Sequence, residues 1–143
     1  MTEPSGYFGS ATAREEGARG RFAPIDGQPT ISPSPGVHFQ PVPGVRLLLC
    51  RVTIDPHSEA PVHTHDEEQM GIVLSGSGDF ELDGETRRVV PGDTYHAPPG
   101  VPHGLRAGAE GCVVIDVFSP PRAALVELMA QAEAPGSEST SGK

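Results

Sequence analysis

The sequence is poor in positive charge, in cysteine and in aromatic residues. Its 143 residues include ten Lys and Arg against nineteen Asp and Glu, a formal net charge of −9, and no Trp. Nucleic acids and anionic membranes are bound through basic surfaces, so this composition argues against both partners. Two cysteines, Cys50 and Cys112, do not support a disulfide scaffold, and neither has the spacing of a metal-binding pair.

Long hydrophobic runs are also missing. No stretch approaches the length of a membrane span, and the N-terminus has no signal-peptide hydrophobic segment, so we expect a cytoplasmic protein. Eighteen Gly and sixteen Pro indicate many turns, as an all-β chain of short strands requires. The length favours one domain, which we place at 36–132, between a flexible arm (1–35) and a disordered tail (133–143).

Apolar and alternating runs predict the elements of this domain. The run at 45–54 is apolar on both faces, which indicates a central strand, and a β-hairpin is expected around Asp83–Gly84. A strand is predicted at 111–118, and a short helix at 122–132, where apolar residues recur at helical spacing.

Three histidines and a glutamine suggest a metal site. His63 and His65 are two residues apart, so on a strand they share a face, and Gln69 begins the next apolar run. We expect an acidic turn, 66–68, to join two strands in a hairpin that directs these side chains to one point. His103, after a Pro/Gly corner, supplies a fourth ligand. Imidazoles suit zinc, nickel, copper or iron better than calcium or magnesium. The alternative is an exposed polar strand face.

A second group of candidates lies near the C-terminus. Asp116 and Phe118 share a face of an apolar strand, and a carboxylate is costly to bury there unless it is paired or used. Asp116 is therefore either held by a neighbouring group or faces the metal as a general acid or base. Candidate substrate-binding residues are Arg51, which interrupts an apolar strand, Tyr95 and His96. Asp66, Glu67 and Glu68 are interpreted as solvated turn residues, with Glu68 a less favoured alternative ligand.

The histidines and their flanking residues resemble the two motifs of the cupin superfamily. In the first motif, His63, His65 and Gly76 have the family spacing, with Gln69 in the usual place of Glu and His57 in that of Gly. In the second, Gly92, Pro98, Gly100 and His103 match, and Ala107 replaces Asn. The resemblance covers roughly residues 36–125. It implies an all-β, conical jelly-roll barrel with the metal inside, and a homodimer to which the apolar strand at 45–54 contributes.

The glutamine variant and the C-terminal string resemble the KdgF-type cupins of pectin and alginate breakdown, which convert 4,5-unsaturated uronates to the open-chain keto form. This resemblance implies one divalent transition metal (Zn, Ni, Fe, Mn or Cu) on His63, His65, Gln69 and His103. It implies catalytic and substrate roles for Asp116, Phe118 and Arg122.

Because related glutamine-containing cupins act as isomerases in antibiotic biosynthesis, the substrate stays open. We expect an isomerase, lyase or hydrolase acting on a small polyoxygenated or keto acid, either an unsaturated uronate or a natural-product intermediate. The alternatives are a dioxygenase using iron or copper and a non-catalytic metabolite-binding protein.

Overall fold

The computed structural model describes residues 6–9 and 13–133. In this part of the chain, eight strands and one α-helix form an all-β jelly roll, which confirms the predicted fold class. The strands are β1 (Ile31–Ser34), β2 (Val37–Pro43), β3 (Leu48–Ile54), β4 (Glu59–His63), β5 (Glu68–Leu82), β6 (Glu85–Val89), β7 (Thr94–Ala97) and β8 (His103–Ser119), and the helix is α1 (Ala123–Glu133). Two short 3₁₀ turns, Gly6–Phe8 and Ile25–Gly27, precede them.

The long strands β5 and β8 pair along most of their length and belong to both sheets of the roll. Beside the C-terminal half of β8 the order is β1-β2-β3-β8-β5, with β7 on the other edge of β5. Beside its N-terminal half, β4 pairs with β8 and β6 with β5. Two register irregularities, one between Val73 and Ser75 of β5 and one between Ala107 and Cys112 of β8, bend both strands near Gly76 and Gly111. Both glycines have positive φ, and a Cβ on Gly76 would clash with the Gly111 carbonyl.

The core fills the space between the two sheets. Alternate residues of β3 are buried, namely Leu48, Cys50, Val52 and Ile54, and they pack with Val114 and Phe118 of β8. Both cysteines are buried and free. The eleven-residue α1 places Leu125 in this core, and within the described ranges no helix has the length and apolar character needed to cross a membrane.

Several predicted elements are correct and others need correction. β3 is central, the β5–β6 hairpin turns at Asp83–Gly84, and α1 lies one residue from its predicted position. The predicted hairpin around 66–68 is wrong, because β4 pairs with β8 rather than with β5. The strand expected at 111–118 begins at His103, since Gly111 bends β8 without ending it.

The start of the sheet also differs from expectation. The sheet begins at Ile31, inside the arm expected at 1–35, because β1 pairs with β2. Residues 1–5, 10–12 and most of the tail expected at 133–143 lie outside the described residues.

Candidate active site

Three histidines from separate segments meet at one end of the barrel. His63 ends β4 and pairs across the sheet with His103, the first residue of β8, and His65 lies in the loop that follows β4. One ring nitrogen from each lies within 4.8 Å of the others. The ligand cluster therefore depends on the pairing of β4 with β8, two strands separated by about forty residues of chain.

Backbone carbonyls fix the tautomer of each ring. Nδ1 of His63 donates to Pro61 O at 2.7 Å, and Nδ1 of His103 donates to Val101 O at 2.8 Å. Nδ1 of His65 donates to Glu67 O at 3.0 Å. A carbonyl can only accept, so each Nδ1 carries the hydrogen and each Nε2 keeps its lone pair, as metal ligation requires.

Two further observations show that a cation fits this site. His103 Nε2 is buried and has no hydrogen-bond partner among the described residues. His65 Nε2 lies 3.0 Å from Gln69 Oε1, while the Gln69 amide hydrogen-bonds to Asp116, which turns its N–H groups away from the histidine. A lone pair and an amide oxygen that face each other repel unless a positive charge lies between them.

Burial favours the neutral form of two of the imidazoles. It lowers the pKa of His103 to about 4, and it lowers the pKa of His65, with a further contribution from the positive charge of Arg122. Neutral imidazoles are the metal-binding form, and the Gln69 carbonyl is neutral as well. A divalent ion held by these four groups would keep its full charge toward a substrate.

Asp116 faces the same cavity. It is 7% exposed, and Tyr95 Oη donates to its Oδ1 at 2.5 Å. Burial raises the pKa of Asp116 to about 6, although the hydrogen bonds from Tyr95 and Gln69 act in the opposite direction. Its carboxyl group can thus gain or lose a proton near neutral pH.

Gly71 makes room for this pair and was not identified from the sequence. It lies opposite Asp116 on one side and Tyr95 on the other. A Cβ at this position would lie 2.3 Å from Asp116 Oδ1 and 2.4 Å from Tyr95 Oη. The sequence feature that could have identified it is an isolated Gly inside the apolar run of β5, because glycine in a strand often marks a position that other groups approach closely.

Phe118 and Arg122 complete the cavity. The Phe118 ring is 5% exposed and lies 5.8 Å, centroid to centroid, from that of His65. Arg122 lies just before α1 and lines the cavity, and its guanidinium has no hydrogen-bond partner among the described residues. Burial lowers its pKa, and the charge of Glu67 opposes this effect. A half-buried guanidinium with free donors suits a ligand carboxylate.

Comparisons with known proteins agree with this geometry. The family model for the cupin domain matches residues 50–118. The solved structure of KdgF from Halomonas sp. superposes with a TM-score of 0.70 at 31% identity, covering 75% of this chain and 99% of that one. This chain is a cupin and resembles the KdgF type.

Two curated relatives match shorter segments of this cupin. The pectin degradation protein KdgF of Dickeya dadantii is 42% identical over 62 residues, which are 43% of this chain and 56% of the relative. The H2HPP isomerase of Bacillus subtilis is 39% identical over 54 residues, or 37% of this chain and 23% of the relative. The match thus spans about half of one relative's length and a quarter of the other's.

Two predicted substrate-binding residues lie outside the cavity of this cupin. Arg51 faces away from the core, because Cys50 and Val52 on either side of it face inward, and it binds Asp26 at 2.7 Å and Gln40 at 2.6 Å. His96 likewise alternates with buried neighbours and pairs with Glu68 at 2.7 Å on the surface. Of the three candidates, only Tyr95 lines the cavity.

The acidic turn at 66–68 contains a buried residue that was interpreted from the sequence as solvated. Asp66 and Glu68 are exposed, as expected, but Glu67 is only 8% exposed. Its Oε2 accepts the Ala123 N–H at 2.8 Å. Burial is the largest single influence and raises the pKa of Glu67, but the hydrogen bonds from the N–H groups of Ala123 and Glu67 and the nearby charges of His65 and Arg122 together lower it. The sequence pattern that could have placed Glu67 is the two-residue period of a strand. His65, Glu67 and Gln69 alternate with exposed residues and share one face.

Proposed function

We propose that this cupin is a metal-dependent isomerase or lyase acting on a small keto acid or polyoxygenated acid, with an unsaturated uronate as first candidate. One observation carries the proposal: a single cavity is lined by three of the four neutral donors (His63, Gln69 and His103), by a buried carboxyl group with a raised pKa, and by an unpaired guanidinium. The KdgF and H2HPP isomerase relatives support an enzyme of this kind.

The donor set is His63, His65, Gln69 and His103. A divalent transition metal (Zn, Ni, Fe, Mn or Cu) bound there would act as a Lewis acid toward a carbonyl, hydroxyl or carboxylate oxygen of the substrate. The protein contributes the orientation of the donors through the Nδ1 hydrogen bonds to backbone carbonyls.

Asp116 is the proposed proton-transfer residue. Ring opening of an unsaturated uronate converts its hemiacetal to an aldehyde and leaves an enol, and the enol becomes a ketone when a proton is added to carbon. One proton leaves an oxygen and one arrives at carbon, so a single carboxyl group can complete the cycle. The hydrogen bond from Tyr95 orients this group, and a pKa of about 6 suits both directions of transfer.

Arg122 and Phe118 are the proposed substrate-positioning residues. The unpaired guanidinium of Arg122 would bind the substrate carboxylate, and the Phe118 ring would pack against the carbon skeleton. Both side chains line the same cavity as His63 and His103.

The apolar walls of the cavity favour a second candidate substrate, a less hydroxylated natural-product keto acid. Hydroxyl groups buried against apolar walls lose hydrogen bonds with water, which disfavours a highly hydroxylated ligand. The H2HPP isomerase relative supports this candidate. The apolar residues that line the cavity are Phe39, Val52, Ile54, Phe80, Leu105, Val114, Phe118 and Leu125.

The proposal is tested by adding metal-loaded protein to 4,5-unsaturated galacturonate, to the corresponding mannuronate, and to an aryl keto acid such as phenylpyruvate. We expect loss of the double-bond absorbance of a uronate, or accelerated keto–enol exchange of the aryl acid, without oxygen uptake. Asp116→Asn should lower kcat by about 10²–10⁴-fold, and Arg122→Ala should raise KM more than it lowers kcat.

Asp55→Asn is the control, because Asp55 is an exposed carboxylate that pairs with His38 away from the cavity. Wild-type turnover by Asp116→Asn would refute the assignment of Asp116. Oxygen consumption that depends on iron or copper would favour the dioxygenase alternative.

We further propose that the cupin forms a homodimer through the outer face of its central strands. Leu49, Val117 and Met70 form one cross-strand row on this face, and Ile115 and Ile72 lie beside each other in the next. Leu49, Met70 and Ile72 are 37%, 53% and 38% exposed. A contiguous apolar patch of this kind is typical of an interaction surface, and the same patch on a second copy is its proposed partner.

A further inference from the structure

Glu67 touches both the donor cluster and helix α1. Its Oε2 accepts the 2.8 Å hydrogen bond from the N–H of Ala123, the first residue of α1. Its Oε1 lies 3.4 Å from Nδ1 of His65, and its own carbonyl accepts the 3.0 Å hydrogen bond from that nitrogen. The Glu67 side chain is 10% exposed and that of His65 is 6% exposed. One buried residue therefore connects a metal ligand to the start of a helix.

The start of α1 determines part of the cavity wall. Arg122 immediately precedes the helix and Leu125 lies in its first turn, and both line the cavity. The first N–H groups of a helix lack intrahelical partners and carry partial positive charge, so a carboxylate there satisfies a donor and is stabilised electrostatically. The charges of Glu67 and Arg122 also influence each other's pKa. A displacement of Glu67 would thus disturb the positions of both Arg122 and Leu125.

We propose that Glu67 is a positioning residue that couples metal binding at His65 to the placement of α1, and hence of Arg122 and Leu125, at the cavity. The inference rests on the metal site proposed above. A metal ion bound to Nε2 of His65 would fix the orientation of the imidazole ring and hence of its Nδ1–H. This N–H group points between the backbone carbonyl and the side-chain carboxylate of Glu67. The carboxylate in turn holds the first N–H of the helix.

The neighbouring residue provides a matched control. Glu68 has the same charge and adjoins Glu67, but it is exposed and pairs with His96 on the outer surface. Glu68→Ala removes a carboxylate from the same segment without altering a contact of His65 or α1. A general effect of charge or of segment stability would appear in both variants, whereas the proposed coupling would be lost only in Glu67→Ala.

The experiment measures Zn²⁺ affinity by competition with a chromophoric chelator, and hydrogen exchange of the amides 123–127 with and without Zn²⁺. In wild type and in Glu68→Ala, Zn²⁺ should slow exchange at the start of α1. Glu67→Ala should bind Zn²⁺ about 10- to 100-fold more weakly, the range typical for loss of a group that supports a metal ligand. At saturating Zn²⁺ it should show little or no slowing at α1. Glu67→Gln, which keeps one acceptor, should fall between the two.

The outcomes separate this inference from the function on which it rests. If wild type binds no Zn²⁺, the metal site itself is refuted, and the inference with it. If wild type binds Zn²⁺ while Glu67→Ala keeps the same affinity and the same Zn²⁺-dependent protection of α1, the metal site stands and the coupling is refuted. Should Glu67→Ala fail to fold, the comparison of Glu67→Gln with Glu68→Gln decides by the same two measurements.

Discussion

The inner and outer faces of the central strands β3, β8 and β5 are both rich in apolar residues, yet they differ in their polar groups. On the inner face, Gln69 and Asp116 are buried: Gln69 Oε1 faces His65 Nε2, and Asp116 accepts a hydrogen bond from Tyr95. On the outer face, the polar residue Arg51 is paired with Asp26 at the surface, and Met70 and Ile72 are exposed. Hydrophobicity alone therefore does not distinguish core from surface in these strands. The distinguishing feature is that inner polar groups converge on one cavity.

The polar groups of the inner face and the apolar residues of the outer face indicate different kinds of binding partner. Buried polar groups are costly unless they are paired, so a cluster that leaves His103 Nε2 without a protein partner is evidence for a ligand. Exposed apolar residues carry no such requirement for a ligand, and a contiguous set of them favours contact with another protein surface. The inner face of this cupin is thus a candidate for catalysis and the outer face for dimerisation.

The largest expected effect is loss of metal when an inner ligand is removed. His103→Ala should abolish stoichiometric binding of Zn²⁺ or Ni²⁺, because His103 supplies a buried lone pair at the centre of the cluster. Elemental analysis and calorimetry of protein made without a His tag measure this. His96→Ala is the matched control, since His96 lies on the surface and should leave binding unchanged. Full metal occupancy in His103→Ala would contradict the proposed ligand set.

A second effect concerns the pH dependence of stability without metal. The pKa of Asp116 is raised to about 6 in the folded state, so its contribution to stability falls as pH rises from about 4 to 6. The pKa of His103 is lowered to about 4, so its contribution rises with pH from about 4 to 6.5.

The two contributions oppose each other in the wild type, and removing one should expose the other. In Asp116→Asn, the free energy of unfolding should therefore rise by about 2 kcal/mol more than in wild type between pH 4 and 6. Urea unfolding at pH 4, 5 and 6 measures the difference. Parallel profiles for the two proteins would show that Asp116 ionises normally in the folded state.

A third effect comes from filling the space at Gly71. The added methyl group of Gly71→Ala would overlap Asp116 Oδ1 and Tyr95 Oη, so we expect a loss of about 1–3 kcal/mol in unfolding free energy. Denaturant unfolding measures the loss, and the altered environment of Tyr95 should appear in near-ultraviolet circular dichroism. Gly20→Ala, where no atom lies within 4 Å of the new Cβ, should be neutral. If Gly71→Ala is as stable as wild type, the Asp116 and Tyr95 side chains can move aside to accommodate the added methyl group.

The smallest effect on the folded monomer is expected on the outer face. Met70→Lys combined with Ile72→Lys should convert a dimer to a monomer with little change in fold, because both side chains are exposed in the single chain. Light scattering at micromolar concentration reports the mass, and Val62→Lys, an exposed apolar position on β4, is the control. A monomeric wild type, or a dimer that survives the double substitution, would refute the proposed interface.

Much of the candidate site was predictable because its residues follow local rules. The spacing of His63, His65 and Gln69 and the corner before His103 indicated a metal site, and the structure brings their side chains together. The alternation of Asp116 and Phe118 correctly indicated one shared face. Arg51 was misplaced because a strand apolar on both sides does not show which side is buried. His96 was misplaced because it adjoins Tyr95 on β7, and neighbouring residues of a strand cannot both face the cavity.

The sequence by itself determined the all-β class, the candidate donor residues and the sets of side chains that share a strand face, because these depend on local spacing and turn chemistry. Only the tertiary structure decided which face turns inward, which strand pairs with β4, and that Glu67 is buried against α1 while Glu68 is exposed. The physical reason is that the two-residue period of a strand is local, whereas register between distant strands is set by packing of the whole barrel. The His63–His103 pair and the space over Gly71 both follow from that register.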